Sequence, residues 1–196
     1  MYAKYKIKCL LLQRKPDLMN RLQVKDKTFE VSISEATIQK EVRRVAGEIT
    51  RDLEGKDPLF LPVLNGSFIF ASDLLREIPI PCEISFIKLA SYAGTQSTGE
   101  IREVIGLSSD ITGRHVVIVE DIIDSGLTMA HMIDTLQRQN PASIRVCTLL
   151  VKPAALKVQI PIHYCCLEIP NDFIVGYGLD YDGFGRNTRD IYTLVK

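Results

Sequence analysis

The sequence predicts an α/β fold, a mainly parallel, twisted β-sheet flanked by helices. Three observations predict it. Short apolar or β-branched runs recur, at Leu59–Leu64, Val116–Val119 and Ile144–Val151, as expected of strands buried on both faces. Segments with apolar residues at helical spacing lie between them. Small, polar, glycine-containing stretches follow two of the runs. Alternation of this kind points to βαβ units with right-handed crossovers, and such sheets collect ligands at the C-terminal ends of their strands.

Composition sets the limits. A chain of 196 residues with 46% hydrophobic content fits one domain with a sizeable core and room for a small appended lobe. Lys and Arg total 24 against 24 Asp and Glu, so no global basic field argues for nucleic acid or an anionic membrane, and neither is expected as a partner. Any phosphate site must be local. The five cysteines (Cys9, Cys82, Cys147, Cys165, Cys166) are odd in number and form no CxxC, which fits reduced thiols and a cytoplasmic setting better than a disulfide or zinc framework. The three His are scattered, and no apolar run approaches the ~18–20 residues of a membrane span.

Taken in order, residues 1–28 read as a loosely packed N-terminal extension, with a targeting peptide as a minor alternative: Cys9–Leu12 is apolar but too short for a signal core. Phe29–Ile33 is a strand candidate. Ser34 then caps a helix whose apolar face is Ile38, Val42, Val45, Ile49 and Leu53, ending near Gly55. Leu59–Leu64 is a strand, Asn65-Gly66-Ser67 a loop and Phe68–Arg76 a helix; from spacing alone this loop is equally an ordinary βα connection. Cys82–Leu89 alternates loosely as a strand. Ser91–Gly99 is a polar loop before the return Glu100–Ile105, and loops of that size are usually lids or disordered. Ile144–Val151, Ile162–Leu167 and Ile191–Val195 complete the strand candidates.

The most informative stretch is His115–Met129, HVVIVEDIIDSGLTM. A β-branched run ends in Glu120 and Asp121. Asp124, Ser125, Gly126 and Thr128 follow, and Met129, Met132, Ile133 and Leu136 then mark a helix face. A strand feeding a helix through such a loop offers backbone N–H groups and a positive helix end to an anion, most often phosphate. Carboxylates beside a phosphate need sugar hydroxyls or a shared magnesium ion between them. A phosphorylated ribose diphosphate meets these demands together.

EDIIDSGLT, Glu120–Thr128, resembles the motif of the type I phosphoribosyltransferases that binds 5-phosphoribosyl 1-diphosphate (PRPP). It is neither a GxxxxGK[ST] loop nor a GxGxxG fingerprint. From roughly Phe29 onward the chain resembles the hypoxanthine-guanine phosphoribosyltransferases. The resemblance implies that family's fold, with a small hood formed by the N- and C-terminal segments and a single domain over 29–196. It also implies the site. Glu120 and Asp121 would hold ribose hydroxyls directly or through magnesium, Asp124 would be the catalytic acid–base, and Ser125, Gly126, Leu127 and Thr128 would cradle the 5′-phosphate, Leu127 through its backbone alone.

In the same family reading, LNGSFIFASDL places Asn65 and Gly66 on the pyrophosphate, with a cis peptide before Asn65. Ser91 and Tyr92 belong to a closing lid. Lys152, which spacing alone would make a solvated charge, would donate to the exocyclic oxygen of a 6-oxopurine. Phe173, otherwise a core residue, would stack on the base, with Ile174 supplying backbone hydrogen bonds. Asp180 would reach a second magnesium through water, and Arg186 would contact the pyrophosphate. The residue before Arg186 is Gly185, where the family more usually has an aromatic. The implied partners are PRPP, hypoxanthine or guanine, and copies of the chain in a homodimer or homotetramer. A xanthine-preferring enzyme and a nucleotide-sensing regulator of the same fold are the alternatives.

Overall fold

The computed structural model describes residues 21–91, 101–105, 107 and 110–195. Two sheets organise it. The larger is built from β3 (Leu59–Leu64), β4 (Glu83–Ile84), β5 (Ile87–Ser91), β6 (Ile101–Ile105), β7 (His115–Ile123), β8 (Ser143–Val151) and β9 (Tyr164–Glu168). Its order is β6-β5-β3-β7-β8-β9, with β4 also paired to β3. All pairings are parallel except β5 with β6.

The sheet is buried on both faces, and β7 shows why its sequence is a continuous apolar run. Val117 and Val119 point into one core with the helices α1 (Glu35–Leu53) and α2 (Phe68–Arg76). Val116 and Ile118 point into a second with α3 (Leu127–Gln137). Strand residues alternate faces, so a strand between two helical layers has no polar face to show. Helix α1 is capped as predicted: Ser34 Oγ accepts from Thr37 N at 3.3 Å, and Ile38, Val42, Val45, Ile49 and Leu53 are all buried.

The expected strand over 82–89 is interrupted. Register with β3 holds throughout, from Leu59↔Glu83 to Leu64↔Lys88, but β4 and β5 are separate strands. The cause lies in β3. Phe60 O accepts from Ser85 N at 3.0 Å, so the next N–H of β3 on this side would belong to residue 62. Residue 62 is proline, which has none.

The second sheet is the hood, with order β1-β2-β11-β10, from β1 (Arg21–Val24), β2 (Lys27–Ile33), β10 (Ile174–Val175) and β11 (Ile191–Leu194). Its pairings are antiparallel. Here the predicted extension to residue 28 needs correction. Arg21–Val24 already forms a hairpin with β2, from Arg21↔Glu30 to Val24↔Lys27, because Val24 is buried with Phe29 and Val175 in a small hood core. The rest of that extension, with Tyr92 and the lid loop up to Gly99, lies outside the described residues.

Candidate active site

Chain order and spatial order together locate the site. From the central β3 the chain first winds to β5 and β6, then returns across β3 to β7, β8 and β9. The winding reverses between β3 and β7, and crevices at such reversals are where open α/β sheets bind ligands. The loop 65–67 follows β3 and the loop 124–126 follows β7, so both lie on this rim.

Strand β7 is longer than the sequence suggested. Pairing with β8 continues to Ile123↔Val151, so Glu120 and Asp121 sit inside the strand rather than after it. Their carboxylates fold back on the chain: Glu120 Oε1 accepts from Asp121 N at 3.0 Å and Asp121 Oδ1 from Ile122 N at 2.9 Å. Desolvation pushes the Glu120 carboxyl well above its usual range, and the neighbouring Asp121 charge adds to the shift. Two adjacent acids of this kind favour a cation or a diol between them.

The turn into α3 is made by Gly126 at φ +78°, a conformation costly for residues with a Cβ. The first helical bond there is Ala130 N to Gly126 O at 2.9 Å. The amides just before it are the donors that a helix start leaves for a ligand. They border a cavity of about 120 Å³ lined by Glu120, Asp124, Ser125, Gly126 and Thr128 among others, room enough for a phosphate group.

Lys152 lies at the end of β8, and its backbone N donates to Ile123 O at 3.0 Å. The residue is only 8% exposed, yet its Nζ reaches Asp124 Oδ2 at 3.2 Å. It is therefore not the solvated charge that spacing alone suggested. A donor and an acceptor stand side by side next to the phosphate-sized cavity.

After β3 the Leu64–Asn65 peptide is cis, as the resemblance implied. Ser67 is fully buried, with Oγ donating to Val63 O at 2.7 Å. Gly66 leaves no room for a side chain: a Cβ there would lie 1.6 Å from Asp121 Oδ2. Gly178, at φ +103°, is pressed against the same loop, and its Cβ would lie 2.1 Å from Gly66 O. Segment 173–186 is thereby drawn over the rim. Arg186 fixes it, with Nη1 donating to Gly178 O at 2.6 Å and Nη2 pairing with Asp180 Oδ1 at 2.6 Å. Gly185 adopts φ +94°, so the departure from an aromatic at that position accompanies a tight turn that still delivers Arg186 to Gly178. The contacts of Gly178 went unnoticed in the sequence, although the GYG spacing was visible. Tyr177 was also missed; its buried hydroxyl donates to Asp73 at 2.6 Å and ties the segment to α2.

Phe173 precedes β10 and belongs to the hood, where its carbonyl accepts from Leu194 N at 2.9 Å. It is 44% exposed, against 8% for Ile174, so the ring is open and the Ile174 side chain is not. Asp180, expected to reach a second magnesium through water, is paired with Arg186, and among the described residues no three His, Cys, Asp or Glu side chains gather closely enough to hold a metal ion by themselves. Of the two expected lid residues, Ser91 ends β5.

Known proteins share this arrangement. Residues 33–182 match the phosphoribosyl transferase domain family. A hypoxanthine-guanine phosphoribosyltransferase of Mycobacterium avium is 46% identical over 158 residues, 79% of this chain and 78% of that protein. A hypoxanthine-guanine-xanthine phosphoribosyltransferase of Tritrichomonas foetus is 40% identical over 170 residues, 86% and 93% of the two chains. The crystal structure of a hypoxanthine-guanine phosphoribosyltransferase from Bacillus anthracis superposes with a TM-score of 0.80 at 41% identity, covering 85% of this chain and 98% of that one. With the fold, the switch-point loops and these similarities in agreement, the chain belongs to the hypoxanthine-guanine phosphoribosyltransferase family.

Proposed function

We infer that this member transfers the phosphoribosyl group of PRPP to hypoxanthine and guanine, giving the nucleoside 5′-monophosphate and pyrophosphate in purine salvage. One observation carries the choice of base, the Lys152–Asp124 pair beside the phosphate-sized cavity. A 6-oxopurine whose N7 carries hydrogen presents an acceptor at O6 and a donor at N7 on one edge. An adenine presents a donor at its N6 amino group beside N7. Lys152 as donor and Asp124 as acceptor match the first pattern and leave a buried ammonium facing an amino group in the second.

Each remaining residue then has a task. Backbone N–H groups of Ser125, Gly126, Leu127 and Thr128 hold the 5′-phosphate. Glu120 and Asp121 take the ribose hydroxyls. Asn65, Gly66 and Arg186 face the pyrophosphate, Phe173 stacks on the base and the Ile174 backbone meets its edge. Ser91 and Tyr92 close as a lid that keeps water from the reactive sugar. In the transfer the C1′–O bond to the diphosphate breaks as the C1′–N bond to the purine forms, through an oxocarbenium-like transition state. Asp124 accepts the proton released from the ring.

The acids of β7 suit magnesium, since among the described residues Glu120 and Asp121 have no cationic partner and Glu120 is hard to ionise alone. Those two would hold one ion with the substrate, and Asp180 would reach a second through water. Bound magnesium would neutralise charge on the leaving diphosphate.

The test is an absorbance assay with PRPP, magnesium and each of hypoxanthine, guanine, xanthine, adenine and uracil. Turnover of hypoxanthine and guanine without adenine or uracil is expected. Xanthine shares the same edge, and the Tritrichomonas relative is named for it, so its rate sets the breadth of the site. Turnover of none of the five would favour a nucleotide-sensing protein instead.

A further inference from the structure

The tip of the β1–β2 hairpin has no task in the chemistry above, yet the side chains of Lys25, Asp26 and Lys27, the first residue of β2, all engage segment 181–184. Lys25 pairs with Asp182 and lies 4.8 Å from the centre of the Phe184 ring. Tyr181 Oη donates to Asp26 Oδ1 at 3.0 Å. Lys27 Nζ lies 4.4 Å from the centre of Tyr181 and 5.2 Å from that of Phe173. The two rings meet edge to face, 5.8 Å apart at 89°. Phe29, two residues from Lys27 on the same side of β2, completes the cluster at 6.1 Å from Phe173 and 6.4 Å from Tyr181.

We propose that Lys27 is a positioning residue for the purine base: its ammonium, shared by Phe173 and Tyr181, sets the plane of the exposed Phe173 ring on which the base stacks. Phe173 precedes a strand of only two residues, and apolar contact with Phe29 alone would hold the ring without fixing its orientation, since hydrophobic burial is not directional. A cation within about 6 Å of a ring centre adds that direction. The edge-to-face pair transmits it, because turning Phe173 would break the contact with Tyr181, which Asp26 holds through the hydroxyl. The diphosphate groups lie elsewhere, on the β3 loop and Arg186. The effect of Lys27 is therefore confined to the base.

The proposal rests on Phe173 being the base platform, and the experiment separates the two. Initial-rate kinetics are measured for K27M, which keeps the apolar stem, K27R, which restores a cation, and F173L. K27M is expected to raise the KM for hypoxanthine about two- to five-fold, to leave kcat and the KM for PRPP unchanged, and to keep the wild-type Tm; K27R restores the KM. An unchanged or lowered KM in K27M, an equal rise in the KM for PRPP, or no rescue by K27R overturns the role of Lys27. If F173L raises the KM and K27M does not, Phe173 remains the platform and Lys27 has no part in it. If F173L leaves the KM unchanged, the platform reading fails and the proposal with it.

Discussion

Replacing Gly66 with alanine tests how closely the loop after β3 depends on the acids of β7. The φ of Gly66 is not positive, so the backbone itself would accept alanine. The obstacle is Asp121. A Cβ would lie 1.6 Å from Oδ2, 2.4 Å from Cγ and 3.0 Å from Oδ1, and to reach even 3.0 Å from Oδ2 the carboxylate must retreat by about 1.4 Å. Because Cγ is also too close, turning the carboxylate about its own bond does not suffice. The side chain must change rotamer and release Ile122 N, now bonded at 2.9 Å, or the loop must move off β7 and push against Gly178. A misplacement of about 1 Å in a substrate-positioning group can cost 10²-fold in rate, or about 2.7 kcal/mol of transition-state stabilisation. Loss of one hydrogen bond costs about 1 kcal/mol of stability, roughly 2–4 °C in Tm for a chain of this size. G66A is thus expected to fold with a slightly lower Tm and to lose about 10²-fold in kcat/KM for PRPP. Steady-state kinetics with calorimetry measure both. An active G66A with wild-type kcat/KM would refute the reasoning, as the placement of Asp121 against the loop would then not matter to PRPP.

Three more expectations concern single side chains. Glu120 has a raised folded-state pKa, so its contribution to stability is fully present below the unfolded value of 4.5 and is lost as pH rises through the folded value. E120Q should therefore raise the Tm of the ligand-free protein at neutral pH, by an amount that shrinks towards pH 4.5, and a pH-independent difference in thermal scans would contradict this. D124N removes the proton acceptor but keeps the side-chain shape, so kcat should fall by about 10²-fold or more while PRPP affinity changes little; equal losses in both would argue against acid–base chemistry at this residue. Y177F leaves Asp73 without the hydroxyl that donates at 2.6 Å. The cost is on the order of 1–3 kcal/mol and shows as a lowered urea midpoint.

Much of the framework was legible because local signals and burial agree. The run Leu59–Leu64 needs no polar face, the helix from Glu35 has both cap and stripe, and the small residues after β7 can make only a tight, ligand-facing turn. What escaped notice depends on residues distant in the chain. Pro62 splits the pairing with residues 83–88, but its effect follows from which neighbour its missing N–H would face. The requirement for glycine at 66 and 178 arises from Asp121 and from the loop itself, more than fifty residues away in sequence in the first case. Hairpin pairing of Arg21–Val24 hangs on three buried residues, Val24, Phe29 and Val175, too small a core to stand out in hydropathy. The Asp124–Lys152 contact appears only once β7 and β8 are neighbours.

The most direct test is a crystal structure of the protein with inosine 5′-monophosphate. The phosphate should lie against the backbone amides of residues 125–128, with O6 at Lys152 and the base over Phe173. A nucleotide whose phosphate sits away from the β7–α3 turn, or whose base touches neither Lys152 nor Phe173, would contradict the account.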